Sequence, residues 1–489
     1  MDYEAVIGLE THVQLKTKSK MFSYSSAEYQ NAEPNSIVDP ISMALPGTLP
    51  VVNKKAVEYA IKIGLALNCN ITKITKFDRK NYTYPDLMKG YQITQLDHPI
   101  ATEGMLKLDN SKNKNIRINR VHMEEDVARL IHYPSSNDQD SYSLVDINRS
   151  GTPLMEIVTE PDLCDSQEVE SYINSLQQII RYIGVGTANM EEGSFRCDAN
   201  ISVRPKGTNL LNTKVEVKNM NRIKAVTRAV DYEIKRQIKL IKNDERIIQE
   251  TRGWNDEKGV TIPQRSKEEA HDYRFFPEPD IPPLEIKKSW IDEINKSMPE
   301  LPSKKKKRFQ DFWGLSEYDS SIITTSLKNA QYYEELCNNG NYKNDADRYS
   351  FAKEAANWII GEMTRLMNTD DKKNIYETKI TPYNLFKLVE KFKNREINNN
   401  SAKKVFEIMY HEGKEPVGII KELGFEVISD SDSLSPIVDD IIEKNNQAVN
   451  DYKNGKEASL KYLIGQVMKE TKGQADASEV SQLIISKLS

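Results

Sequence analysis

The rhythm of apolar and polar positions changes at about residue 290. Up to that point short stretches alternate with period two, the signature of strands with one buried face. In residues 5–15, Ile7, Leu9, Val13 and Leu15 fall on one side, and Gly8, Glu10, His12 and Gln14 on the other. The alternation is cleanest after Ser194: Arg196, Asp198, Asn200, Ser202 and Arg204 share one face, Phe195, Cys197, Ala199, Ile201 and Val203 the other. Residues 214–219 read as the hairpin partner of that strand. Two more strands are predicted, one through His122-Met123-Glu124-Glu125-Asp126 and one after the Gly151-Thr152-Pro153 turn, where Glu156 stands opposite Met155 and Ile157. Each buries one face and presents acids, Asn or Arg on the other. The expected fold class is α+β, with an antiparallel sheet that is half wet.

Beyond residue 290 the spacing becomes helical. Across 351–367, Ala355, Ile359, Met363 and Leu366 keep one face. The run 304–308, four lysines and an arginine after Pro302, reads as a solvated helix start, an RNA contact or a nuclear address. Asn398-Asn399-Asn400 leads into a last helical module. This predicts three domains: a cradle at 1–290, an all-helical linker at 291–400 and a small all-helical tail at 401–489. In the tail, Leu460, Leu463, Ile464, Val467 and Met468 form a core face, and Lys461, Gly465, Lys469 and Lys472 share an exposed sector. A helix-interior glycine costs about 1 kcal/mol relative to alanine. Close approach of an RNA backbone would explain it, as would a helix–helix contact.

Composition narrows the function. The 489 residues carry 68 basic and 73 acidic side chains, a net charge of −5, which excludes a simple DNA-coating protein but leaves a local RNA patch open. No stretch reaches about 18 consecutive apolar residues, so no membrane helix is expected. The acidic start, Asp2-Tyr3-Glu4, does not read as a secretory leader. Cys69, Cys164, Cys197 and Cys337 form no CxxC, so neither a disulfide framework nor a cysteine zinc knuckle is encoded, and a reducing compartment is expected.

The polar strand faces carry the candidate chemistry. Glu10 and His12 alone suit a divalent cation or an ordinary wet face equally. Together with the other three strands, the concentration of Glu, Asp, Asn and Arg suggests a sheet lined for Mg²⁺ and phosphate. There is no GxxxxGK[ST] loop, no kinase HRD/DFG pair, and the GxG at Gly184 and Gly186 fails the dinucleotide fingerprint because position 189 is Asn. Of two basic-aromatic blocks, 77–92 suits phosphate or RNA-end recognition, or else a rigid turn, and 261–280 suits the grip of an anionic partner or, equally, domain closure. Phe275 and Phe276 would anchor the second.

These segments, with Leu45-Pro46-Gly47-Thr48-Leu49-Pro50 and the Gly473-Gln474 of the tail, occur in the order of one family. The chain resembles the B subunit of the glutamine-dependent aspartyl/glutamyl-tRNA amidotransferase, the GatB family, over nearly its whole length. The resemblance implies a cradle similar to the glutamine synthetase/guanidino kinase fold, with ATP and Mg²⁺ on the sheet and tRNA on the tail. It implies phosphorylation of the side-chain carboxylate of Glu misattached to tRNA(Gln), or Asp to tRNA(Asn), followed by displacement of phosphate by ammonia. By that carry-over Glu10, His12, Glu125 and Glu156 hold metal, with Glu124 adjacent. Lys80, Tyr82, Glu191, Arg196 and Asp198 line the phosphate or aminoacyl end, and Arg265 and Lys267 join Lys80 and Arg196 on the nucleotide. Lys456, Lys461, Gly465, Lys469 and Lys472 contact tRNA.

No Cys-His-acid set or Ser-rich amidase run is present, so the resemblance assigns ammonia production to a separate amidase subunit, with a small third subunit clamping the pair. Many relatives carry two cysteine pairs for zinc, where this chain has Ser23, Ser25, Asp39 and Ser42, so no structural zinc is expected. The bacterial cytoplasm is the expected compartment, with an organelle as the alternative. A ligase acting on a small free acid and a non-catalytic RNA-binding scaffold are the competing readings.

Overall fold

A computed structural model describes residues 2–109, 114–133, 142–209, 211–266, 273–425, 431–471, 475 and 477–488. The chain forms two compact units, Met1–Leu301 and Pro302–Ser489. The first begins with β1 (Tyr3–Gln14), α1 (Lys54–Ala66), β2 (Asn70–Ile71), β3 (Ile74–Thr75), β4 (Asp78–Asn81) and β5 (Tyr91–Thr94). It continues through β6 (Ala101–Lys107), β7 (Asn115–Glu125), β8 (Arg129–Tyr133), β9 (Tyr142–Asp146), β10 (Pro153–Thr159), α2 (Ser166–Tyr182) and β11 (Phe195–Pro205). Then come β12 (Val215–Lys218), α3 (Ile223–Lys242), β13 (Glu250–Asn255), β14 (Val260–Ser266), β15 (Phe276–Pro277), β16 (Leu284–Glu285) and α4 (Lys288–Ser297).

Nine strands make one sheet in the order β14-β13-β12-β11-β1-β10-β7-β6-β2, antiparallel except between β12 and β13. The long strand β1 lies at its centre because it ladders on both edges, to β11 and β10. The apolar sides of these strands pack on the helices: Ile7, Leu9, Val13, Met155, Ile157, Phe195 and Ile201 share one core with Val169, Ile173 and Leu176 of α2 and with Val226 and Val230 of α3. Asn53 caps α1 by accepting from Lys55 N and Ala56 N, and Asp165 caps α2 by accepting from Glu168 N. The helices therefore cover one face and leave the other, polar face for function. Before β11 the chain must reverse, and Gly193 does so at φ +71°, where a side chain would be strained.

The second unit is helical: α5 (Pro302–Trp313), α6 (Glu317–Ile323), α7 (Leu327–Cys337), α8 (Asp345–Trp358), α9 (Thr364–Thr369), α10 (Pro382–Lys393), α11 (Asn399–Glu412), α12 (Pro416–Leu423), α13 (Ser431–Lys444), α14 (Asn446–Lys453), α15 (Ala458–Glu470) and α16 (Ala477–Leu488). The periodic stretch 351–367 is helical throughout, with a π-helical segment at Ile359–Met363. Two cores divide the unit, one from Phe309 to Ile420 and one from Leu434 to Leu488. Both differ from the domain limits read from sequence. Helix α4 belongs with the sheet, because Ile294 is buried in its core. The Asn-rich stretch caps a helix and links no domains: Asn398 Oδ1 accepts from Ser401 N, and Val405, Phe406 and Met409 of that helix fill the first helical core. The basic run of α5 is not simply solvated either, since Lys305 is buried and, like Arg308, pairs with Glu334.

Candidate active site

The register of four neighbouring strands assembles the site. His12 of β1 lies opposite Glu156 of β10 on one side and Arg196 of β11 on the other, while Glu10 lies opposite Asp198. Glu156 in turn lies opposite His122 of β7, and Leu154 opposite Glu124. Alternate positions share a face, so Glu10, His12, His122, Glu124, Glu156, Arg196 and Asp198 all stand on the polar face. His122 Nε2 is 3.2 Å from Glu156 Oε2, and His12 Nε2 is 3.4 Å from the same oxygen, 3.7 Å from Glu124 Oε1 and 3.9 Å from Glu10 Oε1.

Two groups have donor atoms close enough to hold a cation, Glu10/His12/Glu156 and His122/Glu124/Glu156, with donors in each group within 4.8 Å of one another. Glu156 belongs to both. His122 Nδ1 is buried without a hydrogen-bond partner among the described residues, so none of them offsets its desolvation. Carboxylates with imidazoles at this spacing fit a divalent ion.

The charges agree with that fit. Burial opposes a charge on His12, but Glu156, Glu124 and Asp198 outweigh it and push the imidazole up to about 9. Burial and repulsion from Glu156 raise Glu10. Glu156 is held well below the usual carboxylate range, because His122 and His12 overcome its desolvation. The excess negative charge that protonates His12 is the same charge that would attract a cation.

Cationic groups border the acids. Lys218 Nζ lies 2.8 Å from Asp198 Oδ2 and 3.1 Å from Glu216 Oε1; burial opposes its charge, but these acids hold it above an ordinary lysine. Arg196 is pinned by Asp126, a buried carboxylate that also accepts from Gln14 Nε2 at 2.7 Å. Burial alone would raise Asp126, yet Arg196 and Arg149 bring it down to about 2. Lys80 rests over the Tyr273 ring, 4.9 Å from its centre, and Tyr82 donates to Gln92 Oε1 at 3.4 Å. All of these except Asp126's partner Gln14, Glu216 and Tyr273 line one cavity of about 1160 Å³ together with Glu10, His12, Glu124 and Glu156, and Glu191 sits on its wall.

One expectation is corrected by the pleat. Glu125 does not share the face of Glu10, His12 and Glu156; it points to the side of Met123, where it pairs with Lys89 and accepts from Ile93 N at 3.0 Å. Glu124 takes the inner position, with Thr94 Oγ1 donating to it at 3.3 Å. Three consecutive acids in a strand cannot share a face. His122, Asp126, Arg149, Gln92 and Lys218 were not assigned from sequence. His122 was within reach, two residues before Glu124 in the same alternation, and so was Lys218, two residues after Glu216.

The second basic-aromatic block folds back on the first: Phe276 pairs with Arg79 across β15 and β4, and Tyr273 packs against Tyr82. Lys267 and the side chain of Arg265 lie outside the described residues. On α15, Lys461, Gly465 and Lys469 are exposed, Lys456 just before it pairs with Asp451 at 3.0 Å, and Lys472 lies outside the described residues. In the loop between β1 and α1, Ser23 and Ser42 donate to Asp39 at 2.9 and 2.7 Å, and the fully buried Lys20 donates to Ile37 O at 2.9 Å and Ser42 Oγ at 3.4 Å.

An acid-lined sheet face bordered by cations has the make-up of an enzyme site, and comparison with known families matches both units. Residues 5–292 match the GatB/GatE catalytic domain and residues 331–488 the GatB domain, so the chain belongs to the GatB family. It is 49% identical over 488 residues to the B subunit of the aspartyl/glutamyl-tRNA(Asn/Gln) amidotransferase of Carboxydothermus hydrogenoformans, spanning 100% of this chain and 99% of that protein. The B subunit of the same amidotransferase from Dehalococcoides mccartyi (strain CBDB1) is also 49% identical, over 99% of this chain and 98% of its own length. That of Thermoanaerobacter pseudethanolicus is 47% identical over the full length of both.

Proposed function

We infer that the chain is the ATP-using subunit of a tRNA-dependent amidotransferase. It activates the side-chain carboxylate of Glu carried by tRNA(Gln), or Asp carried by tRNA(Asn), and converts it to the amide for translation. A carboxylate is a poor acyl donor, and phosphorylation supplies the leaving group. A side-chain oxygen attacks the γ-phosphorus of ATP and ADP departs; ammonia then attacks the acyl carbon, and phosphate leaves as a proton is lost. The observation that carries this reading is the pair of acid–imidazole groups sharing Glu156, with Glu10, His12, Glu124 and Glu156 lining one cavity beside Arg196, Lys218 and Lys80.

Glu10, His12, His122, Glu124 and Glu156 would hold Mg²⁺, which supplies charge neutralisation at the phosphates. Arg196, oriented by Asp126, and Lys80 are placed to take phosphate oxygens. Tyr82 and Glu191 face the aminoacyl end. Arg265 and Lys267 extend the nucleotide site, and Lys456, Lys461, Gly465, Lys469 and Lys472 of the tail grip tRNA. The cradle shares the layout of the glutamine synthetase/guanidino kinase fold.

Ammonia comes from a partner amidase subunit held by a small third subunit. No helix among the described residues is long and apolar enough to cross a membrane, and the bacterial cytoplasm suits a translation enzyme. The hydrogen-bonded cluster of Lys20, Ser23, Asp39 and Ser42 supports a loop that needs no zinc. Reconstitution with both partner subunits, ATP, glutamine and Glu-tRNA(Gln) or Asp-tRNA(Asn) tests the reading. Amidated tRNA is expected, and consumption of ATP without any dependence on aminoacylated tRNA would instead favour a small-acid ligase.

A further inference from the structure

The loop between β1 and α1 supplies one wall of the active-site cavity: Tyr29, Ala32 and Pro34 line it together with Glu10, His12, Glu124 and Glu156. Hydrogen bonds fasten this stretch to the segment that follows β9. Asn35 N donates to Asp146 Oδ1 at 3.2 Å, Asn148 Nδ2 to Glu33 O at 2.7 Å, and Ile37 N to Asn148 Oδ1 at 2.8 Å. From the fastened wall the half-buried Tyr29 reaches the sheet. Its hydroxyl lies 3.2 Å from Oε1 and 3.0 Å from Nε2 of Gln14, a side chain buried at the end of β1. Gln14 Nε2 also donates to Asp126 Oδ2 at 2.7 Å, and that same oxygen accepts from Arg196 Nη2.

Each link in this chain has one favourable sense. Gln14 turned the other way would set its amide oxygen against the Asp126 carboxylate, two acceptors in contact, so Nε2 faces Asp126 and Oε1 is left to accept from Tyr29. Burial pushes the Tyr29 phenol above the ordinary tyrosine value, so at neutral pH it carries the proton it donates. The other Asp126 oxygen is occupied by Val127 N at 2.9 Å, which leaves Gln14 to steady Oδ2. Among the described residues Asp126 is the only hydrogen-bond partner of Arg196. A long guanidinium side chain on one tether is placed only as well as that tether is. A reacting site needs its groups held to about 0.5 Å.

We propose that Tyr29 is a positioning residue for the phosphoryl-transfer site, fixing the Arg196 guanidinium through Gln14 and Asp126. The inference rests on the function proposed above, and it makes the loop a working part of the site. Tyr29 itself touches no reacting atom; its hydroxyl acts two hydrogen bonds away from the arginine.

The test uses the assembled amidotransferase with Tyr29→Phe, which removes the hydroxyl and keeps the ring, in the wild-type and the Arg196→Gln backgrounds. Three quantities are read: kcat for ADP release with aminoacyl-tRNA, the Kd of a non-hydrolysable ATP analogue with Mg²⁺ by calorimetry, and the melting temperature. In the wild-type background Tyr29→Phe is expected to lower kcat and weaken analogue binding, each by about three- to tenfold, the worth of one hydrogen bond. KM for aminoacyl-tRNA and the melting temperature should stay near wild type. In the Arg196→Gln background, where the guanidinium is already gone, adding Tyr29→Phe should change neither kcat nor Kd. Wild-type kcat and Kd in Tyr29→Phe overturn the proposal. Equal losses in both backgrounds overturn it too, by showing that the hydroxyl acts elsewhere, as does a lowered melting temperature with kcat and Kd unchanged. Failure of the functional reading looks different, because the wild-type complex itself then forms no amidated tRNA.

Discussion

Glu156 and His122 face each other across the β10–β7 pair, with Oε2 and Nε2 3.2 Å apart, and the other imidazole nitrogen of His122 has no partner among the described residues. Because His12 reaches the same carboxylate oxygen from β1, Glu156 is the common member of both candidate cation groups. Three strands converge on one carboxylate, which makes this centre a product of register.

Neighbouring acids should fail in different ways. Glu124→Gln removes a ligand from the polar face, so amide formation is expected to fall by about 10²–10³ in kcat, with little loss of thermal stability. Glu125→Gln leaves Lys89 buried without its counter-charge, which costs roughly 3–5 kcal/mol and lowers the melting temperature. Kinetics and calorimetry on the two variants check this, and the reverse pattern would restore Glu125 to the site.

His12 gives the cation-free protein a pH dependence of known sign. Its folded pKa of about 9 lies above the ordinary imidazole value of 6.5, so its contribution is complete below pH 6.5 and is lost as pH rises through 9. The full swing is on the order of 3 kcal/mol. Cation affinity should run the other way and strengthen over the same window, because a protonated imidazole cannot ligate. Melting curves with and without Mg²⁺ from pH 6.5 to 9 measure both trends, and His12→Gln should flatten them.

On the tail, a Cβ built at Gly465 meets nothing within 4 Å among the described residues, so no described helix of this chain needs the glycine. Gly465→Ala should therefore stabilise α15 by about 1 kcal/mol while weakening tRNA binding by crowding the backbone. Lys461→Ala/Lys469→Ala should lower the slope of log affinity against log salt by about 2. Filter binding over a salt series reads both effects.

The loop that carries Ser23, Asp39 and Ser42 is predicted to depend on Lys20. Lys20→Met leaves the Asp39 carboxylate without a buried cation and should cost roughly 3 kcal/mol. A zinc-selective chelator should leave the wild-type melting temperature unchanged, as equilibrium unfolding will show.

Much of this arrangement was legible from alternation alone. Period-two spacing gave β1 and β11 with the correct inward faces, and Glu10, His12, Arg196 and Asp198 are all in the cavity. Alternation did not fix phase in β7, where Glu124 and Glu125 are chemically alike and only strand pairing with β10 decides which one turns inward. Asp126 was hidden for another reason: its partners Gln14, Arg149 and Arg196 come from three distant segments. The domain limits slipped because packing of Ile294 and Val405 sets them, and texture reports secondary structure only.

The most direct measurement is ADP release by the assembled enzyme with ATP, Mg²⁺ and Glu-tRNA(Gln) or Asp-tRNA(Asn), with no source of ammonia. Wild type should release ADP only when the aminoacylated tRNA is present, and Glu156→Gln should release almost none while glutamine hydrolysis by the partner persists. Undiminished tRNA-dependent ADP release in the Glu156→Gln enzyme would contradict the assignment of phosphoryl transfer to this sheet.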